Sequence, residues 1–204
     1  MSDEHPVFAA LYDPLTRIAE HRLRPHREWL VEDISGRVLD LGCGTGAMFP
    51  YLCRGGIDLH ALDPDPHMLA RAEERAAALD CPIELHEGYA ETLPYPDDHF
   101  DGVVVSLVLC SVDSVEESVA EIARVLAPGG ECRFLEHVRA EGWRAEFQER
   151  LTPCWRHLAG GCRLDRETPR AFVAEPRLGV ERLQRVPVGV TPVSPILRGR
   201  AVRE

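Results

Sequence analysis

The stretch "LDLGCGTGA", residues 39–47, sets a carboxylate and three glycines at a spacing that can cradle a ligand. Gly42, Gly44 and Gly46 permit a tight turn and let the main chain approach a bound group closely. With Ala47 in the last place, the run also reads as Gly-x-Gly-x-x-Ala, a dinucleotide fingerprint. Asp63 closes the next hydrophobic run, where ribose hydroxyls are held in either case. Asp40 separates the two readings: a carboxylate two residues before Gly42 repels a pyrophosphate and attracts an ammonium group. The plainer alternative is a strand–helix turn in which Asp40 caps the next helix.

S-adenosylmethionine carries an ammonium and a sulfonium and no phosphate, so it is the ligand these residues predict. A second stretch, "SLVLCSV" at 106–112, leaves another hydrophobic strand and carries a thiol. In sequence, Cys110 has only Leu109, Ser111 and Val112 around it, with no base to lower its pKa, so it is expected to be wall rather than nucleophile. His137 ends "ECRFLEHV" at the same expected edge and titrates in a useful range. It is the candidate catalytic residue, with a histidine satisfied by main-chain bonds as the other reading. Glu136 alternates to the opposite face and is expected in a structural ion pair.

These residues need a scaffold, and the hydrophobic pattern supplies one. Strands are expected at 37–41, 58–63, 83–88, 101–109, 131–138, 179–188 and 195–203. Helices are expected at 66–80, 115–127 (stopped by "PGG"), 145–160 and 165–175, the last opening on an Asp cap, with a helical "MFPYLCR" after the glycine turn. Residues 14–32 read as two short helices or one broken at Pro25. Strands alternating with helices predict an α/β fold: a parallel sheet doubly wound by helices on both faces, with one antiparallel edge from the closing strand pair. Ligands of such sheets bind beyond the carboxyl ends of the strands.

Composition bounds the function. A chain of 204 residues with net charge −11 has no basic face for nucleic acid. Its basic residues are all Arg, and Lys and Asn are absent. No apolar run approaches a membrane span or a signal peptide. The seven cysteines are widely spaced with no Cys-x-x-Cys pair, so neither a metal site nor a disulfide framework is expected. Reduced thiols in a cytoplasm follow.

"VLDLGCGTG", "ALDPDPHML", "GYAETLPYPDDHFDGVVVS" and "RVLAPGGECRFLEH" together resemble the class I S-adenosylmethionine-dependent methyltransferases over about residues 36–138. The resemblance implies a Rossmann-like, seven-stranded, mostly parallel sheet with an antiparallel last strand. It implies one domain over 1–204: an N-terminal helical lid (1–35), a cofactor-binding core (36–138), and acceptor-side helices with the last two strands (139–204). Asp40 and the 42–46 loop would hold the amino acid end of the cofactor, and Asp63 the ribose, with Pro64 and Met68 nearby. Tyr89, Ala90 and Glu91 would flank the adenine, and Ser106 and Leu107 would touch the cofactor through main chain. Tyr12 would fold over it as a lid, or serve as a core aromatic. Many relatives have Gly-Asp-Ala where this chain has Gly88-Tyr89-Ala90, so an adenine-binding carboxylate is missing and Tyr89 offers stacking instead.

"VVVSLVLCSV", "FLEHV", "PCWRHLAGGCRLDRET" and "PILRGRAV" further resemble the microsomal alkyl thiol S-methyltransferases, without the membrane anchor with which those begin. A small, apolar methyl acceptor is implied, with a thiol first. Quinone C-methylation and phospholipid or amine N-methylation are the alternatives, as is a cofactor-binding module without turnover. Trp155, Leu158 and Cys162 are the expected acceptor-pocket residues, and His157 is a second candidate base or a solvated helix residue.

Overall fold

The computed structural model describes residues 20–188 and 194–204. Its centre is a seven-stranded sheet of order β3-β2-β1-β4-β5-β7-β6. The strands are β1 (Gly36–Leu41), β2 (Ile57–Asp63), β3 (Ile83–Glu87), β4 (Phe100–Ser106), β5 (Leu126–His137), β6 (Leu178–Val186) and β7 (Ile196–Arg203). β1 to β5 pair in parallel, and β7 runs antiparallel to both β5 and β6. The closing pair β6 and β7 thus forms the expected antiparallel edge, with β7 inserted between β5 and the edge strand β6.

Residues alternate across the sheet, as strand geometry requires. Leu39, Leu41, Val103, Val105 and Phe134 face one core, while Val38, Val104 and Leu135 face the other. α4 (Val115–Val125) and α6 (Thr168–Ala174) cover the first face through Val119, Ile122, Ala171 and Phe172. The second is covered by helix α1, described over 20–30, α2 (Phe49–Leu52) and α3 (Pro66–Leu79). Strands buried on both faces explain the unbroken valine run at 103–105.

Local sequence accounts for most element ends. Asp65 caps α3 by accepting from the His67 N–H at 2.8 Å, and Ser114 caps α4 by accepting from the Glu117 N–H at 3.2 Å. Four local expectations fail. α1 runs through Pro25 without a break. The "PGG" after α4 is not a loop, because β5 begins at Leu126 and takes up 128–130 through an irregular register against Phe100 and Gly102. α5 starts at Trp143, ahead of the expected 145. α6 opens at Thr168 with no side-chain cap, since Pro169 in its first turn sets the start and Asp165 faces Arg163 at 3.7 Å.

The cysteine expectation also fails in part. Cys53, at the end of α2, and Cys81, just after α3, form a disulfide with Cα atoms 5.7 Å apart. Their separation of 28 residues hid the pair; adjacency comes from α2 and α3 lying side by side.

Gly199 of β7 shows how tightly the first face is packed. A Cβ there would lie 2.1 Å from Cζ of Phe134, whose ring is stacked on Phe172 with centroids 4.1 Å apart. The ring has no room to withdraw, so Gly199→Ala should destabilise the fold by about 1–3 kcal/mol. Urea unfolding measures this, and an unchanged midpoint would contradict the packing.

Candidate functional site

β1 pairs with β2 on one side and β4 on the other, so the strand order reverses between β1 and β4. A parallel sheet opens a crevice at that point, beyond the carboxyl ends of the strands. A cleft of about 230 Å³ lies there. It is walled by Leu41, Gly42 and Gly44 from the first turn, Asp63, Pro64 and Met68 from the second, and Tyr89, Ala90 and Glu91 after β3. Ser106 and Leu107 close the β4 side. The sequence-predicted site residues thus converge, with three cofactor residues and the candidate catalytic residue as exceptions. Asp40 and Gly46 sit behind the wall, His137 lies outside it, and Tyr12 is outside the described residues.

The glycine turn is built for close approach. Gly42 and Gly44 have φ of +67° and +55°, in the left-handed region where side chains are strained. A Cβ on Gly44 would meet nothing within 4 Å, so that backbone faces open space. Asp63 fixes the turn: one carboxylate oxygen accepts from the Gly44 N–H at 2.8 Å and the other from the Asp65 N–H at 3.0 Å. Burial pushes its pKa up to about 6, against the pull of these two bonds. Lone pairs remain for further donors.

Asp40 is 1% exposed, and its Oδ2 has no hydrogen-bond partner. Burial pushes its pKa up to about 8; the Arg27 guanidinium opposes the rise and Asp63 adds to it. Ser106 places a buried Oγ without a partner at the cleft. Its side chain, and not only its main chain, is therefore available to a ligand. The Leu107 N–H is already given to the Leu135 carbonyl at 2.7 Å, and Leu107 is held at φ +63°. That conformation costs a branched side chain about 1–2 kcal/mol.

Glu91 does more than flank the cleft. Its carboxylate accepts from the Asp113 and Ser114 N–H groups at 2.8 and 3.2 Å, fastening the β3–β4 connection to the start of α4. Tyr89, 49% exposed, stands at the rim. Glu136 contradicts its expected role. Among the described residues it forms no ion pair; it is 0% exposed, and its carboxylate accepts from the N–H groups of Val108, Leu109 and Cys110 at 2.8, 3.1 and 3.2 Å.

The rest of the cleft wall, where the acceptor pocket was expected, was only partly foreseen. The wall there is Val108, Ser111, Val112 and Asp113 after β4, with Gly160 and Gly161 after α5. The glycine pair was the sequence signal for the second group. Leu158 is 77% exposed and lines nothing, and His157 is exposed on α5. Trp155 packs beside Cys110, Cys162 and Leu164. The expectation that Cys110 lacks a basic neighbour is also overturned. The His137 Nδ1 lies 3.7 Å from Cys110 Sγ and 3.6 Å from Cys162 Sγ. The three residues are far apart in sequence and meet only where β4, β5 and the end of α5 converge.

A second hollow of about 310 Å³, between Trp29, Arg133, Glu181 and Arg200, is a poor rival. Two of its cations are already engaged, Arg133 with Glu131 at 2.8 Å and Arg200 with Glu181 at 2.7 Å.

Glu136 gives a testable pH dependence. Burial raises its pKa from 4.5 to about 7, so the folded chain holds this proton more tightly than the unfolded one. The resulting stability is full below about pH 4.5 and is lost as pH rises through about 7, on the order of 3 kcal/mol. The stability of the wild type relative to Glu136→Gln should therefore fall over that window in urea titrations. A difference independent of pH would remove Glu136 as the titrating group.

Comparison with known proteins agrees with this geometry. Residues 39–134 match the methyltransferase domain family. Human thiol S-methyltransferase TMT1B is 36% identical over 185 residues, covering 83% of this chain and 72% of that protein. Human thiol S-methyltransferase TMT1A is 34% identical over 176 residues, covering 81% and 70%. Among solved structures, an S-adenosylmethionine-dependent methyltransferase from Methanosarcina mazei shares the fold with a TM-score of 0.66 at 19% identity, covering 83% of this chain and 92% of that one. With the switch-point cleft, the glycine turn and Asp63 in place, the chain belongs to the class I S-adenosylmethionine-dependent methyltransferases and is an enzyme of that class.

Proposed function

We propose that this enzyme transfers the methyl group of S-adenosylmethionine to the sulfur of a small, apolar thiol. The observation that carries the reading is the reach of the likeness to the thiol S-methyltransferases. The methyltransferase domain match ends at residue 134, within the half that serves many acceptors. The 36% identity to TMT1B runs over 185 residues and so extends into the acceptor side. The apolar Val108 and Val112 beside Gly160 and Gly161 suit an uncharged alkyl group.

The chain's residues fit the cofactor. Bound, it supplies a methyl group already activated on sulfonium, which requires no covalent enzyme intermediate. Asp40 offers the amino acid end a buried carboxylate oxygen with no partner. Gly42 and Gly44 present backbone without side chains, while Asp63 has spare lone pairs for ribose hydroxyls. Ser106 Oγ supplies an unused polar group, and Pro64, Met68, Tyr89 and Ala90 supply apolar contact for the adenosine. Closing such a cleft around the acceptor excludes water, and much of the rate then comes from in-line positioning.

Two measurements test this. With a pKa of about 8, Asp40 carries its proton at neutral pH, and an ammonium group beside it would expel that proton. Calorimetry of S-adenosylmethionine binding at pH 7 in buffers of different ionisation heat should show release of up to one proton, lost in Asp40→Asn. Equal proton release by that variant would detach Asp40 from the cofactor. Turnover read as S-adenosylhomocysteine should be largest with alkyl thiols in a panel of thiols, quinols, amines and phenols. Methylation of quinols or amines with none of thiols would overturn the assignment.

A further inference from the structure

An alkyl thiol is mostly protonated at neutral pH, and the thiolate is the nucleophile. The described cleft wall offers Asp63, Asp65, Glu91 and Asp113, and no histidine, lysine or arginine. Carboxylates around a thiol disfavour its anion. Help has to come from another group. Directly behind the acceptor wall stand Cys110, next to wall residue Ser111, and Cys162, next to wall residue Gly161.

Cys110 is 1% exposed and Cys162 6%, and each sulfur faces the same ring nitrogen, Nδ1 of His137. The three ligand atoms all lie within 4.8 Å of one another. A tetrahedral zinc ion with bonds of about 2.3 Å to sulfur and about 2.0–2.1 Å to nitrogen holds such ligands roughly 3.6 Å apart. The observed sulfur–nitrogen distances are 3.7 and 3.6 Å. Hydrogen bonds give the sulfurs other partners as well, Ser111 Oγ at 3.7 Å from Cys110 Sγ and each sulfur with the other, but none of these engages all three ligand atoms at once. Neutral imidazole Nδ1 either accepts one hydrogen or donates one, so it cannot satisfy two sulfurs fully. A shared cation can.

The backbone around the three ligands is fixed. Glu136 anchors the Cys110 N–H, the Cys110 carbonyl accepts from the Arg163 N–H at 2.8 Å, and His137 is paired with Ile196 at the end of β5. Thiolate and imidazole donors select zinc-class ions over magnesium or calcium.

We propose that Cys110, His137 and Cys162 bind one thiophilic divalent cation of the zinc class, whose fourth position takes the sulfur of the acceptor thiol. The second half of this proposal rests on the thiol reading given above. On ligation the acceptor's S–H bond breaks and its proton passes to solvent, leaving a metal-bound thiolate. That sulfur then forms the bond to the methyl carbon as the sulfonium carbon–sulfur bond breaks. The products are a thioether and S-adenosylhomocysteine, with no change of oxidation state.

The test uses the full chain. After purification with zinc and dialysis, elemental analysis should find about one zinc per chain, falling at least tenfold in Cys162→Ala and His137→Ala. Retained binding of S-adenosylmethionine by these variants shows that they fold. Cobalt(II) in place of zinc should give a thiolate charge-transfer band that gains intensity when hexanethiol is added without cofactor. Substoichiometric metal, or oxidation of Cys110 and Cys162 to a disulfide with no metal bound, would overturn the site. A cobalt spectrum indifferent to hexanethiol would overturn ligation of the acceptor. Full thiol turnover by metal-stripped protein would overturn the inference while leaving thiol methylation standing. Metal binding and a hexanethiol response without any thiol turnover would overturn the function and leave the site.

Discussion

A parallel sheet leaves main-chain N–H groups beyond the carboxyl ends of its strands, and here buried carboxylates take them up. Asp63 holds Gly44 and Asp65, and Glu136 holds Val108, Leu109 and Cys110. A buried N–H without a partner costs about 1–3 kcal/mol, so these five bonds decide where the loops lie. The first carboxylate shapes the turn that a cofactor would enter, and the second shapes the wall facing the acceptor. Both residues stand near strand ends, where the sheet itself makes them rigid.

That solution places ionisable carboxyl groups where water is scarce. Burial pushes Asp40, Asp63 and Glu136 up to about 8, 6 and 7. Burial is the first cause in each case, and an ammonium or sulfonium group brought close would favour the ionised carboxylates. The same environment is hostile to a free thiolate. One site thus attracts the methyl donor and resists the ionised form of the proposed acceptor, and a soft cation at Cys110, His137 and Cys162 would reconcile the two.

Much of the fold was legible in the sequence where information was local, although Pro25 and the Asp165 cap misled. The valines of β4 and the glycine turn of 42–46 each act within a few residues, and each stands where the pattern put it. Asp63 was legible as a residue of the cleft, but its grip on Gly44 was not, because that contact spans two strands. Contacts between distant segments were hidden throughout. Cys53 and Cys81 meet through helix packing, and Cys110, His137 and Cys162 meet through strand order. Glu136 misled because alternation assigns a face without saying what waits there; the turn after β4 reaches back over its carboxylate. Leu158 misled for the opposite reason, as an apolar residue on a short, exposed helix end.

The cleft wall that would face the proposed acceptor is latched from both sides, which bears on specificity. Below, Glu136 holds 108–110. Above, the Arg163 N–H donates to the Cys110 carbonyl, and the Arg166 guanidinium donates to the carbonyls of Val112 and Asp113. Gly161, at φ +83°, would bring a Cβ within 3.4 Å of the Ser111 carbonyl, so the two loops touch without a side chain between them. Loops that carry function are usually the mobile parts of a fold. Here the loop after β4 is fastened along its length, so Val108 and Val112 keep their places whatever binds. A rigid apolar wall discriminates by size and charge rather than by adapting, and each surplus methylene it rejects is worth only about 1–3 kcal/mol. Such a wall admits a class of small apolar acceptors more readily than a single one. Selection among elements then falls to whatever grips the reacting atom, and a cation held by two sulfurs and an imidazole prefers sulfur.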